Sequence, residues 1–188
     1  IALSVCEALD RRVLTTDARS FSRPVPTIED GTIWIINLGT RAMSQAQAQT
    51  HGMRLATRLF QGAKNLPVLQ IDSRLRGIRN ALSGLYDALA FDFLLLVPAE
   101  LELGRLVEHG TYYHVQAGRL TPFHQSVLAG TAERPCETSD LRELMAGELG
   151  VAREQIVSVG ELVVSRGPEA MVEFIRGLKS QGKVVLIP

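Results

Sequence analysis

The chain has 188 residues, 46% hydrophobic and 21% charged, enough for one large core and unlike a fibrous or disordered polypeptide. Twenty basic residues balance twenty acidic ones, so no global field draws in nucleic acid or an anionic membrane surface, and any anion site has to be built locally. The longest apolar stretches, such as Phe91 to Ala99, fall short of the roughly 20 residues of a membrane helix. No signal peptide is visible, and Cys6 and Cys136 lack the spacing of a zinc site or disulfide framework, which points to a reducing cytoplasm.

In chain order, Ile1 to Leu9 reads as the remainder of a helix and Arg12 to Thr16 as a short strand. Ser20 to Gly31, with two prolines, reads as a loop into the strand Thr32 to Leu38, where Trp34 is expected to be buried. Ser44 to Gln61 carries Ala46, Met53, Leu55, Leu59 and Phe60 among polar residues, which predicts an amphipathic helix. A strand over Val68 to Ile71 follows, then Ile78, Leu82, Leu85, Tyr86 and Leu89 at helical spacing. Phe91 to Val97, apolar but for Asp92, predicts a central strand buried on both faces, making Val68 to Val97 a βαβ unit.

From Gly104 to Leu120 the pattern changes. Tyr112, Tyr113, Val115 and Leu120 around Gly110 and Gly118 predict a β-hairpin flap near the strand ends. Ser139, Asp140 and Glu143 signal the start of a helix running to Gly150. Gln155 to Val159 reads as a strand, Gly167-Pro168-Glu169 as the start of a helix through Leu178, and Lys183 to Ile187 as a last strand interior to a parallel sheet. The pattern predicts one α/β domain over residues 1–188: an open, mostly parallel sheet with crossover helices, Rossmann-like and three-layered, plus a small β-hairpin flap. Both ends read as cut.

The segment with the most chemistry is Asp72-Ser73-Arg74-Leu75-Arg76-Gly77, where a predicted strand gives way to a helix. Ligands bind at such carboxyl ends in open α/β sheets. Asp72 accepts from hydroxyls, Ser73 donates or accepts, and Arg74 or Arg76 grips a carboxylate through paired hydrogen bonds. Gly77 and the helix start bring backbone N–H groups to an anion. The plainer reading of the same residues is a capped helix start with solvated arginines. His51, His109, His114 and His124 read as surface histidines, since no nucleophile or carboxylate is set beside them in the sequence, and the flap tyrosines read as packing residues. No catalytic group and no metal cluster is recognisable.

Residues 70–78 match six of the nine positions of K-I-D-S-T-L-R-G-N, the signature of the four-carbon acid sugar kinase family, which the segment resembles. Pro98-Ala99 resembles the family's P-A-F-P, Gly104-Arg105 its G-R, Gly110 to Leu120 its glycine-rich flap, and Thr40-Arg41 its S-R. The resemblance implies the substrate-binding domain of an ATP- and Mg²⁺-dependent kinase for an acid such as threonate or erythronate, with nucleotide held by a separate C-terminal domain. It makes Arg41, Asp72, Ser73 and Arg76 the substrate ligands, with Arg74 and Gly77 beside them. Gln70, Arg74 and Ile78 stand where the family has Lys, Thr and Asn, which implies altered specificity. There is no Gly-rich nucleotide loop, so ATP binding and turnover are not expected of this chain alone. Two other readings stay open: a divergent homologue that binds a small carboxylate without phosphorylating it, and an α/β domain for protein association. Homo-oligomerisation is also left open.

Overall fold

The computed structural model describes residues 12–17, 32–40, 43–60, 68–69, 75, 82–89, 93–130, 136–178 and 184–187. Strands β1 (Arg12–Asp17) and β2 (Thr32–Asn37) pair in parallel over six residues each, with Arg12 opposite Thr32 and Asp17 opposite Asn37. A second parallel ladder joins β3 (Phe93–Leu95), β7 (Ile156–Ser158) and β8 (Val184–Ile187), with β8 in the middle. The interior position expected for the last strand is the one it holds, and its unbroken Val-Val-Leu-Ile run suits it. The expected first helix, the Ser20 to Gly31 loop, the side chain of Trp34 and most of the Val68 to Ile71 strand lie outside the described residues.

Helix α1 (Gln45–Phe60) begins at a reciprocal capping box: Ser44 Oγ accepts from Gln47 N–H at 3.3 Å, and Gln47 Oε1 accepts from Ser44 N–H at 2.9 Å. Its buried face combines Leu55, one of the expected apolar residues, with small ones. Met53 is 41% exposed and Ala46 is exposed, whereas Ala48, Gly52, Leu55 and Ala56 are buried. The reason is α2 (Ser83–Ala88), which crosses so closely that a Cβ on Gly84 would lie 2.1 Å from the Gln49 carbonyl oxygen. Only a face of small residues admits that approach.

The apolar run after α2 also behaves differently from the expectation. Leu94 packs against the core and Leu96 is buried, but Leu95 and Val97 are 51% and 58% exposed. Burial alternates with the period of two that a strand imposes. The main core covers the face of Leu94 and Leu96, and Phe93 on the other face packs in a smaller cluster around Val159, while Leu95 and Val97 stay open.

The main core gathers Leu75, Leu82, Tyr86, Leu96, Tyr112, Phe123, Ala129, Cys136 and Ile156 with Leu141, Leu144, Met145 and Leu149 of α3 (Leu141–Leu149). The last four recur at helical spacing on one face. Asp140 caps α3, Oδ1 accepting from Arg142 N–H at 2.8 Å and Glu143 N–H at 3.3 Å, and Gly150 closes it at φ 65°. A smaller cluster around Val159 packs Phe93 and Val157 against Val163 of α4 (Glu161–Ser165) and Met171, Phe174 and Ile175 of α5 (Pro168–Gly177). Gly167 and Pro168 start α5 as expected.

Candidate functional site

Of the segment singled out in the sequence, Leu75 alone is described; Arg41, Asp72, Ser73, Arg74, Arg76 and Gly77 lie outside the described residues. Leu75 is informative by itself. It is 1% exposed inside the main core, and its φ is 61°, a left-handed conformation that costs a leucine about 1–2 kcal/mol. Burying its side chain contributes roughly 2 kcal/mol, enough to offset that strain.

The flap is a three-stranded antiparallel meander, one strand more than the hairpin expected: β4 (Arg105–Glu108), β5 (Thr111–Gln116) and β6 (Arg119–Pro122). Both connections are two residues long with positive φ at each, 49° and 78° at His109-Gly110 and 50° and 75° at Ala117-Gly118, the signature of type I′ turns. These turns fix the register. Arg105 faces His114, which faces Thr121, and Val107 faces Tyr112. Directly opposed residues share a face, as do residues two apart, so all five lie on the same side of the flap.

That side is the inner one. Tyr112 is fully buried, stacks at a tilt on Phe123 with ring centroids 4.9 Å apart, and its Oη donates to the Pro98 carbonyl at 3.3 Å. The outer face carries Val115 and Leu120, 38% and 44% exposed. The flap is moored to the carboxyl end of β3, since Glu100 and Arg105 exchange backbone hydrogen bonds of 2.9 Å in both directions. Gly104, at φ 67°, makes the corner, and its carbonyl accepts from Val115 N–H at 2.7 Å.

Arg105 stands at this edge with only 9% of its surface exposed, and its Nε and Nη1 are buried without a hydrogen-bond partner. No carboxylate among the described residues pairs with it. Beside it, His114 is partly exposed, as expected, but its Nδ1 is buried and unpartnered. Leaving a buried cation unpaired costs on the order of several kcal/mol, and such a group is ready to receive an acceptor. Both residues escaped the sequence reading. The signal available was Arg105 alternating with Val107, which puts a charge on the core side of a strand.

The other polar groups hold structure together. Ser139 does not cap α3; its buried Oγ accepts from His124 N–H at 2.9 Å and lies 2.8 Å from His124 Nδ1, tying the end of the flap to the entry of α3. A buried hydroxyl spent on that contact is not a nucleophile. Asp140 adds an ion pair to Arg153 at 2.5 Å. An open groove of about 460 Å³ runs along α1 past Met43, Gln47, His51 and Arg54, but it lies on one helix's outer side, away from the flap. Among the described residues no three His, Cys, Asp or Glu side chains cluster as a metal site, and no helix is long and apolar enough to cross a membrane.

Parallel strands, covering helices and an antiparallel flap at the carboxyl end of a strand define an α/β ligand-binding domain. The chain belongs to the sugar-binding N-terminal domain family, whose sequence profile matches residues 4–188. Two crystal structures share its fold. Haemophilus influenzae protein HI1011, of the DUF1537 family, superposes with a TM-score of 0.67 and 18% identity over 94% of this chain and 42% of its own. A Salmonella typhimurium LT2 protein described provisionally as a tRNA synthase gives 0.64 and 18% over 96% of this chain and 43% of its own. The chain thus spans less than half the length of either. DUF1537 is the earlier designation of the four-carbon acid sugar kinase family, so the resemblance read at Asp72 to Gly77 is borne out at the level of the family. Comparison with curated proteins gave no match.

Proposed function

We propose that this chain is the substrate-binding domain of an ATP-dependent kinase that phosphorylates a four-carbon sugar acid of the threonate or erythronate type. The observation that carries the reading is the D-S-x-L-R-G segment in the sequence, of which Leu75 is buried in the main core with φ 61°. A family of sugar-binding domains, and fold neighbours more than twice as long as this chain, support it. Arg41, Asp72, Ser73, Arg74, Arg76 and Gly77 are the proposed substrate ligands. As part of the same proposal, ATP and Mg²⁺ are assigned to a separate C-terminal nucleotide-binding domain.

The test is a coupled ATP-consumption assay on the full-length protein over four-carbon sugar acids. Turnover abolished by Asp72→Ala and by Arg76→Ala is expected; undiminished turnover in both variants sinks the site assignment. The departures at Gln70, Arg74 and Ile78 favour one alternative, a homologue that binds a small carboxylate and does not phosphorylate it. Its mark is a ligand-induced rise in thermal stability without ATP consumption.

A further inference from the structure

We propose that Arg105, with His114 beside it, is the carboxylate-binding subsite of this domain, on the inner face of the flap. The inference rests on the proposed function for the identity of the ligand, a sugar acid, and on the flap's geometry for the site itself. Three observations converge. Arg105 is more than nine-tenths buried, yet Nε and Nη1 donate to nothing, so its charge is neither neutralised nor solvated on those atoms. Nδ1 of His114, directly across the β4–β5 ladder, is likewise buried and unpartnered. Both stand just beyond the carboxyl end of the parallel strand β3, the edge at which α/β sheets take ligands.

The chemistry selects the ligand class. One fixed cation suits a single carboxylate, because a guanidinium donates to carboxylate oxygens in plane and is less costly to desolvate than an ammonium. The next positions along the cross-strand row are an imidazole and the hydroxyl of Thr121, at strand spacings of about 4.8 Å. An imidazole and a hydroxyl both donate and accept, as the hydroxyls that follow the carboxylate of a sugar acid require. Leu75, the described residue of the proposed ligand segment, belongs to the same core cluster as Tyr112 of this flap face.

A purely structural arginine makes the opposite prediction on stability. If Arg105 held the flap in place, its removal would leave former partners unpaired and lower the melting temperature. As a preformed anion site, it burdens the ligand-free fold. Arg105→Gln and the volume-matched Arg105→Met are therefore expected to melt at or above the wild-type temperature without ligand.

The experiment is titration calorimetry on the full-length protein with threonate, erythronate, the neutral tetritols threitol and erythritol, and malonate, together with ligand-free melting curves. Wild type is expected to prefer the acids to the tetritols. Arg105→Gln should weaken acid binding by roughly 10- to 100-fold, the range for a charge-assisted hydrogen bond, with tetritol binding little changed. Arg105→Lys should recover part of the loss, and His114→Gln should cost about fivefold. Acid binding by Arg105→Gln as tight as wild type overturns the proposal, as does a ligand-free melting temperature that falls in both Arg105→Gln and Arg105→Met. Arg105-dependent binding of malonate with no affinity for either sugar acid keeps the subsite and overturns the substrate reading. No affinity of wild type for any of these carboxylates overturns both.

Discussion

Replacing Gly84 by alanine probes the contact that sets the buried face of α1. A Cβ at this position would lie 2.1 Å from the Gln49 carbonyl oxygen, 2.9 Å from its carbonyl carbon and 3.0 Å from the Met53 nitrogen. All three are backbone atoms inside a helix, so no rotamer change relieves the clash, and the two helices must separate by about 1 Å or more to restore van der Waals contact. The separation loosens packing at Ala48, Leu55 and Ala56, each at most 3% exposed. Overpacking of this kind costs about 3 kcal/mol at the upper end of its range, and the helix propensity gained by alanine over glycine returns about 1. The net loss is about 2 kcal/mol, a fall in melting temperature of roughly 4–8 °C for a chain of this length. Gly147 in α3 is the control, because nothing lies within 4 Å of its Cβ position. Gly147→Ala should gain up to about 1 kcal/mol from propensity alone. Urea denaturation of both variants, with unchanged m-values, measures the pair. Equal stabilisation by the two substitutions would refute the close crossing of α1 and α2.

Asp140→Ala should cost about 1–2 kcal/mol in the same assay, since it removes the cap on α3 and the pair to Arg153, whereas Arg153→Ala should cost under about 1 because the cap survives. Equal losses would place the energy in the ion pair. Tyr86 is held above the ordinary tyrosine value of 10.0, by burial first and by the neighbouring Asp87 carboxylate second. Above pH 10 the unfolded chain therefore releases this proton before the folded one, and stability falls as pH rises. Melting curves at pH 9 and 11 should show a smaller loss in Tyr86→Phe than in wild type; identical losses would remove Tyr86 from the account.

Much of the architecture was legible because its signals are local. The strand beginning at Arg12 extends one residue past the expected Thr16, α1 lies within Ser44 to Gln61, and the glycine and proline at 167–168 start α5 where they should. The failures arose where a tertiary contact decides. Ala48 and Gly52 carry no hydrophobic signal, yet the approach of Gly84 makes theirs the buried face. The apolar stretch after α2 hides which side meets the core, since Leu95 and Leu96 are the same residue type with opposite environments. The third flap strand was missed because Ala117-Gly118 is a weaker turn signal than Asn-Gly, and Pro122 at its end reads as a breaker. At the site, Leu75 was given no role beyond its place in the motif, and Arg105 was read as one member of a family dipeptide. Neither the positive φ of the first nor the unpaired burial of the second can be seen without the fold.

Those two residues share an energetic character. Leu75 holds a strained backbone conformation, and Arg105 keeps a cation inside the fold with its Nε and Nη1 unpaired. Each carries a local cost, which burial of the side chain offsets at Leu75 and which an apolar residue at position 105 would remove. They are not scattered: Leu75 lies in the main core, and Arg105 lies on the flap face that Tyr112 fastens to that core. Local costs that converge on one region mark the place where binding energy is to be recovered. A ligand that reaches Arg105 gains from a charge already desolvated. On this reasoning the domain should be stabilised most by a ligand with hydroxyls for the turn and a carboxylate for the flap, and less by either half alone.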